Sequence, residues 1–291
     1  MTSRKTVVRI GQIDYVNVLP FFHGLDERLR HQNAFDVQMV QGVPTQLNKL
    51  LENDELDVAP ISSLAYARNW MNYELLPGLS VSSPGEVRSI LLLHHQPLST
   101  WKHVRIALTS SSETSVQLLK ILISSLPNVT IEYVTCSPNV DQMLALNDAA
   151  LLIGDDALEL LIKPRLNMMI TDLGQWWKKL EDRSMTYAVW AVNKRFSERE
   201  PQVVSILQKA LKENCHAAFH DLTKIIQISQ QQLGGDEQFW RDYFAGLDYN
   251  FDEKQREDLR WYLKRCYESG ALLDIPHIGS DAEFVSLQVE R

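Results

Sequence analysis

Cysteine is scarce: Cys136, Cys215 and Cys266 are the only three in 291 residues. They are far apart, odd in number and without the close spacing of a metal or redox pair. That excludes a disulfide framework and fits a reduced compartment; each reads as a small buried hydrophobe. No apolar run approaches the roughly 18 residues that a membrane span needs, so no membrane partner is expected. The N-terminus carries Arg4, Lys5 and Arg9 but no apolar stretch directly behind them. It does not read as a signal peptide, and a cytoplasmic location is expected. Excess positive charge is missing too. Lys and Arg number 29 against 37 Asp and Glu, a formal net charge of −8. Affinity for nucleic acid comes largely from neutralising phosphates, so no nucleic-acid partner is expected. An anion must instead be held locally, by helix N-termini, hydroxyls or single placed cations.

Motifs for common cofactors are also absent. HExxH and CxxC do not occur, and the adjacent His94 and His95 alternate faces on a strand without a spaced partner, so no metal is expected. There is no GxGxxG, no Walker sequence and no GxSxG elbow, which argues against a dinucleotide, a P-loop nucleotide or a serine hydrolase. Trp176, Trp177 and Trp190 can stack on a ring, but packing is the default role for tryptophan.

What is present is an alternation of short apolar runs with helical stretches. Strands are expected at Thr6–Ile10, Phe35–Val40, Val58–Ile61, Ser89–His94, Val104–Leu108, Thr130–Tyr133, Ala150–Ile153 and Tyr187–Val192. Helices are expected at Phe21–Leu29, Pro44–Glu52, Ser62–Met71, Ser111–Ser125, Val140–Leu146, Asp155–Leu161, Asp172–Leu180 and Pro201–Leu233. This pattern predicts an α/β protein with largely parallel sheets. From Glu198 to Gly270 the chain reads as mainly helical, broken at Gly234-Gly235.

Four segments place polar residues where strands end, which is where open α/β sheets bind ligands. Asp14, Tyr15 and Asn17 follow the first strand and are pinned by Leu19-Pro20. Ser62 and Ser63 follow Val58–Ile61 and open a helix. Thr109-Ser110-Ser111-Ser112-Glu113-Thr114-Ser115 follows Val104–Leu108; Ser110 and Glu113 have capping-box spacing. A helix N-terminus offers unpaired N–H groups and about half a positive charge, so these are natural carboxylate sites as well as ordinary caps. Asp155, after Gly154, reads either as a helix cap or as a site residue. Ser89 opens a strand, its hydroxyl facing cleft or core according to register.

Several of these segments share a resemblance. IGQIDYVNVLPFF (Ile10–Phe22), GVPTQLNKLLENDELDVAPISSLAYAR (Gly42–Arg68), LPGLSVSSPGEVRSILL (Leu76–Leu92), ALTSSSETSVQLLKILI (Ala107–Ile123), ALLIGDDAL (Ala150–Leu158) and YAVWAV (Tyr187–Val192) occur in that order. They resemble the chorismate dehydratases of the futalosine route to menaquinone, over most of Arg9 to about Phe196 and more loosely beyond. The resemblance implies a two-lobed type II periplasmic-binding-protein-like fold, with a ligand cleft between the lobes and a two-strand hinge. The first lobe is then residues 1–92 plus 193–291 and the second 93–192. It implies loss of water from chorismate to give 3-[(1-carboxyvinyl)oxy]benzoate, with no cofactor. Asn17 and Ser89 are then the catalytic residues, and Asp14, Ser62, Ser63, Ser110, Ser111, Ser112, Thr114 and Asp155 bind substrate. Asp156 stands where the family pattern has alanine. The proton acceptor is open between Asp14, water and the substrate's own enolpyruvyl carboxylate, of which the last is favoured.

Two other readings remain. One is a small-carboxylate binding or sensor protein of the same fold. The other is the sister enzyme that makes 1,4-dihydroxy-6-naphthoate, whose serine/cysteine-proline opening motif is not found here. The absence of ligand motifs, and a reaction driven by aromatisation, predict turnover that survives exhaustive chelation and needs no nucleotide. Loss of activity in EDTA that returns with Zn²⁺ or Mg²⁺ would contradict this.

Overall fold

The alternating strands and helices assemble into two five-stranded sheets, one in each lobe. The computed structural model describes residues 5–32, 34–165 and 167–279. Arg4 of the basic lead and residues 280–291 of the expected first lobe lie outside them. The first lobe runs β1 (Val7–Ile13), α1 (Leu19–Phe22), α2 (Leu25–Gln32), β2 (Asp36–Gly42), α3 (Pro44–Glu52), β3 (Val58–Ser62), α4 (Ser63–Asn69) and β4 (Tyr73–Ser83). The second comprises β5 (Ile90–His94), β6 (His103–Thr109), α5 (Glu113–Ser124), β7 (Thr130–Cys136), α6 (Val140–Ala145), β8 (Ala149–Ile153), α7 (Gly154–Ile162), β9 (Met169–Asp172) and α8 (Leu173–Glu181). The chain returns through β10 (Met185–Asn193) and closes with α9 (Lys194–Arg199), α10 (Pro201–His220), α11 (Thr223–Leu233), α12 (Glu237–Ala245) and α13 (Glu253–Glu268).

Two expected helices are each split. Gly24 sits at φ +80°, a conformation that side-chain-bearing residues avoid, and separates α1 from α2. At the end of α10, Asp221 turns extended and its carboxylate accepts the Thr223 N–H at 2.9 Å, starting α11 afresh. Two strands were not expected. In β4, Pro77-Gly78 reads as a turn but is a bulge in an edge strand, where proline costs no ladder bond. The outer edge of β4 is covered by residues 248–251, which accept the Gly78, Ser80 and Ser82 N–H groups. The other, β9, has only four residues and is half exposed.

The sheet orders are β2-β1-β3-β10-β4 and β7-β6-β8-β5-β9. The expectation of largely parallel sheets needs correction. β1 is parallel to β2 and β3, and β6 to β7 and β8, but β10 is antiparallel to β3 and β4, and β5 to β8 and β9. The antiparallel strand of each sheet is the one that enters from the other lobe. Because β5 lies wholly in the second sheet and β10 wholly in the first, we place the crossings before them, near residues 84–89 and 182–184. That is several residues earlier than the 92/93 and 192/193 boundaries expected from the sequence.

Each crossing is held by a buried or half-buried carboxylate. Asp172 caps α8 and also accepts the N–H groups of Val87 (3.1 Å) and Arg88 (2.6 Å). Asp258 on α13 accepts the Ser184 N–H at 3.0 Å and pairs with Arg183 at 2.8 Å. Helix α13 touches both lobes. The Tyr262 hydroxyl donates to the Thr114 carbonyl at 3.0 Å, and Gln117 donates to Ser269 at 2.8 Å. One apolar core runs through both lobes, and a smaller one, around Leu91, Leu93, Ala150 and Leu152, fills the far side of the second sheet.

Candidate active site

The ends of β1, β3, β6 and β8, with the start of antiparallel β5, converge on one cavity between the lobes. Its non-atom space, open mouth included, is about 570 Å³. Ile13 and Val18, Val81 and Val87, and Ile90 and Ile153 make apolar walls. Asn17, Ser62, Ser89, Ser112 and Ser115 supply polar groups, with the rings of Tyr15 and Tyr187 beside them. No lining residue carries a formal charge.

Asn17 sits in a 3₁₀ turn, Val16–Val18, that follows β1. Its carbonyl accepts the Tyr249 hydroxyl at 2.7 Å, while its side-chain Oδ1 is buried with no partner. Ser62 ends β3, and its Oγ is likewise buried and unpartnered. Burying a polar atom without a hydrogen bond is costly, so two such atoms at one cavity point to a ligand that completes them. At the opening of α5, Ser112 Oγ accepts the Ser115 N–H at 3.2 Å and donates to Ser115 Oγ at 3.1 Å. The Glu113 and Thr114 N–H groups of the first turn have no intrahelical acceptor.

The lobes touch at contact distance. The Leu64 N–H donates to Thr114 Oγ1 at 2.9 Å, and the Val16 N–H to Asp155 Oδ1 at 3.1 Å. Gly154, at φ +59°, lies under the Tyr15 ring, where a Cβ would come within 2.8 Å of ring carbons; only glycine fits. Burial lifts the Asp155 carboxyl to about 7; the Val16 N–H opposes this, and Asp156 and Asp14 add to it. Burial also lifts the Tyr15 hydroxyl to about 12, against the hydrogen-bonding influence of Ser111.

Residues 8–268 match the family described as "Menaquinone biosynthesis". The chain belongs to the menaquinone biosynthesis family. A chorismate dehydratase from Thermus thermophilus is 28% identical over 270 residues, covering 88% of this chain and 93% of the relative. Among solved structures, an Archaeoglobus fulgidus protein superposes with a TM-score of 0.73 at 18% identity, over 91% of this chain and 98% of that one. The alkanesulfonate-binding protein SsuA from Xanthomonas axonopodis pv. citri, bound to MOPS, gives 0.71 at 16% identity, over 94% and 96%. The fold is that of the periplasmic binding proteins, two α/β lobes with a cleft between them.

In this member of the menaquinone biosynthesis family, only some of the expected site residues meet in the cavity. Asn17, Ser62, Ser89 and Ser112 line it. Ser63 does not: it is fully buried, and its hydroxyl donates to the Thr186 carbonyl at 2.7 Å. Thr114 is spent on the Leu64 N–H, which also removes a donor from the expected carboxylate site at α4. Ser110 is exposed and lies before the helix; the cap is Ser112, so no Ser110–Glu113 box forms, and Glu113 instead pairs with Arg68 of the other lobe. Ser111 is buried beside Tyr15, outside the lining residues. Asp14 is exposed and also outside them. Asp155 neither caps α7 nor lines the cavity, but reaches across to Val16. Asp156 lines a separate surface pocket with Asp141, Glu159, Lys163 and Arg165, though its charge still acts on Asp155 and Tyr15.

Other residues with chemical potential are occupied elsewhere. Trp190 packs against Phe21 and Phe22, with ring centroids 5.4 and 5.5 Å away, and Trp177 against Tyr262. His94 is held between the Gln96 carbonyl and Thr171 Oγ1. His216 and His220, four residues apart on α10, are exposed. Among the described residues no group of three or more His, Cys, Asp or Glu is placed to hold a metal ion, and no helix is long and apolar enough to cross a membrane. Gly154 and Tyr187 are lining residues that nothing in the sequence marks, whereas Tyr15 and Ser115 belong to expected polar segments without an assigned role there. Ser115 was within reach, since it lies three residues after Ser112 and so shares its helix face.

The two adjacent serines make a direct test. Ser63→Ala removes a made hydrogen bond and leaves a buried carbonyl bare, so it should cost about 1–2 kcal/mol. Ser62→Ala removes a hydroxyl that has no partner and should leave stability within about 0.5 kcal/mol of wild type. Thermal unfolding checks both; the reverse order contradicts the assignment.

Proposed function

We propose that the chain is a chorismate dehydratase, which eliminates water from chorismate to give 3-[(1-carboxyvinyl)oxy]benzoate. The observation that carries this reading is the uncharged cavity between the lobes in which Asn17 Oδ1 and Ser62 Oγ are buried without partners beside the N-terminus of α5. The name of the Thermus thermophilus relative supports it. Chorismate has a carbocyclic ring and two carboxylates. The apolar walls suit the ring. The first turn of α5, with Ser112 and Ser115, suits one carboxylate through N–H groups, hydroxyls and the helix dipole, without a cation.

The reaction removes one ring hydrogen and the hydroxyl on the neighbouring carbon. The electron pair of the broken C–H bond enters the ring, the C–O bond breaks, and the ring becomes aromatic. No electrons leave the substrate, so the balance needs no redox partner. Asn17 is neutral and is no ordinary base; its unpartnered Oδ1 can accept from the substrate's ring hydroxyl, and its amide N–H can donate to a substrate oxygen. Ser89, at the hinge end of β5, can do the same. No acidic or histidine side chain lines the cavity, and Asp14 is exposed outside it. In this scheme the proton passes to the substrate's own enolpyruvyl carboxylate, close to the reacting carbons, and from there to the departing hydroxide, which leaves as water. The protein contributes one bound conformer and preorganised donors.

Incubating the protein with chorismate should yield a product lighter by one water, about 18 mass units. Asn17→Ala should lose about 10²-fold in turnover while still binding chorismate, as removal of one preorganised donor does. Asn17→Asp should fail as well, because it puts a negative charge beside a dianion. Titration beside turnover checks both. Full turnover in Asn17→Ala removes that residue from catalysis, and tight binding without conversion by the wild type favours the binding-protein reading.

A further inference from the structure

Gly154 and Asp155 form the corner where the second lobe meets both candidate catalytic residues. The Gly154 N–H donates to the Ser89 carbonyl at 2.7 Å. The next residue, Asp155, accepts the Val16 N–H at 3.1 Å, one residue before Asn17. As the first residue of its 3₁₀ turn, Val16 has an N–H that the turn itself cannot satisfy. The Tyr15 ring lies so close over Gly154 that the corner has no room to slide. On its other side the Asn17 carbonyl is held by the Tyr249 hydroxyl. The turn carrying Asn17 is thus clamped between Tyr249 of its own lobe and Asp155 of the other.

We propose that Asp155 is a positioning residue: by accepting the Val16 N–H across the cleft, its carboxyl fixes the turn that presents Asn17, and it does not itself touch substrate. The catalytic part of this inference rests on the function proposed above; the clamp does not. The ionisable groups around Asp155 are Asp14 and Tyr15 after β1, Asp156 on its own helix and Tyr243 on α12. No lysine or arginine is among them. Deprotonation near pH 7 therefore adds a negative charge with no cation to balance it, next to a cavity meant for a dianion. It follows that kcat/KM falls as pH rises through that range.

Two variants test this, with two readouts. In the substrate-free protein, hydrogen exchange at the Val16 amide should speed up roughly tenfold in Asp155→Ala, which has no acceptor. In Asp155→Asn, whose side-chain oxygen can still accept, exchange should stay near the wild-type rate. With chorismate, Asp155→Ala should lower kcat roughly tenfold with KM little changed. Asp155→Asn should recover most of kcat and lose the fall near pH 7. Unchanged Val16 exchange in Asp155→Ala overturns the clamp. A raised KM at unchanged kcat overturns the positioning role in favour of direct substrate contact. If the wild type does not convert chorismate, the proposed function fails, and the exchange readout still decides the clamp by itself.

Discussion

Everything at the cleft depends on two lobes meeting closely enough for the backbone of one to hydrogen-bond a side chain of the other. The Leu64 N–H reaches Thr114, and the Val16 N–H reaches Asp155. These bonds, with the Tyr15 ring laid over Gly154, bring the first turn of α5, Ser62 and the Asn17 turn around one cavity. The crossings behind them are held by Asp172 and Asp258, and α13 braces both lobes through Tyr262 and Ser269. Binding proteins of this fold family use such a cleft to close on a ligand. Here the brace ties α13 directly to α5, whose N-terminus lines the cavity.

A carbon ring with two carboxylates is an awkward guest for a protein with a net charge of −8. In the proposed function the cavity meets it with no arginine or lysine among its lining residues. Partial charges from a helix terminus and fixed hydroxyls neutralise less than a cation does, but they need no reorganisation when charge moves during elimination. None of the acidic residues of the region lines the cavity. Asp14 is turned outward, Asp156 faces another pocket, and burial raises the Asp155 carboxyl to about 7.

Much of this was legible in the chain. Val58–Ile61 and Ala150–Ile153 are short, wholly apolar runs and form central strands buried along their length. The polar segments after β1, β3, β6 and β8 do converge. What could not be read was the role of each hydroxyl. Ser62 and Ser63 differ only in register, yet one lines the cavity and the other bonds a buried carbonyl. Thr114 sits inside the expected anion site but is consumed by a contact from the opposite lobe. Such assignments depend on pairings over separations of 50 and 139 residues, which local pattern does not encode. Strand β4 is hard to read from pattern because Pro77-Gly78, a pair that favours turns, sits in it at a bulge on a protected edge.

The central claim is that a dicarboxylate is held between the lobes by uncharged donors. A crystal structure with 3-[(1-carboxyvinyl)oxy]benzoate bound tests it most directly. The account predicts one carboxylate at the first turn of α5, against Ser112 and Ser115, and other ligand oxygens within hydrogen-bond distance of Ser62 and Asn17. A ligand whose carboxylates pair with lysine or arginine outside this cavity would contradict it.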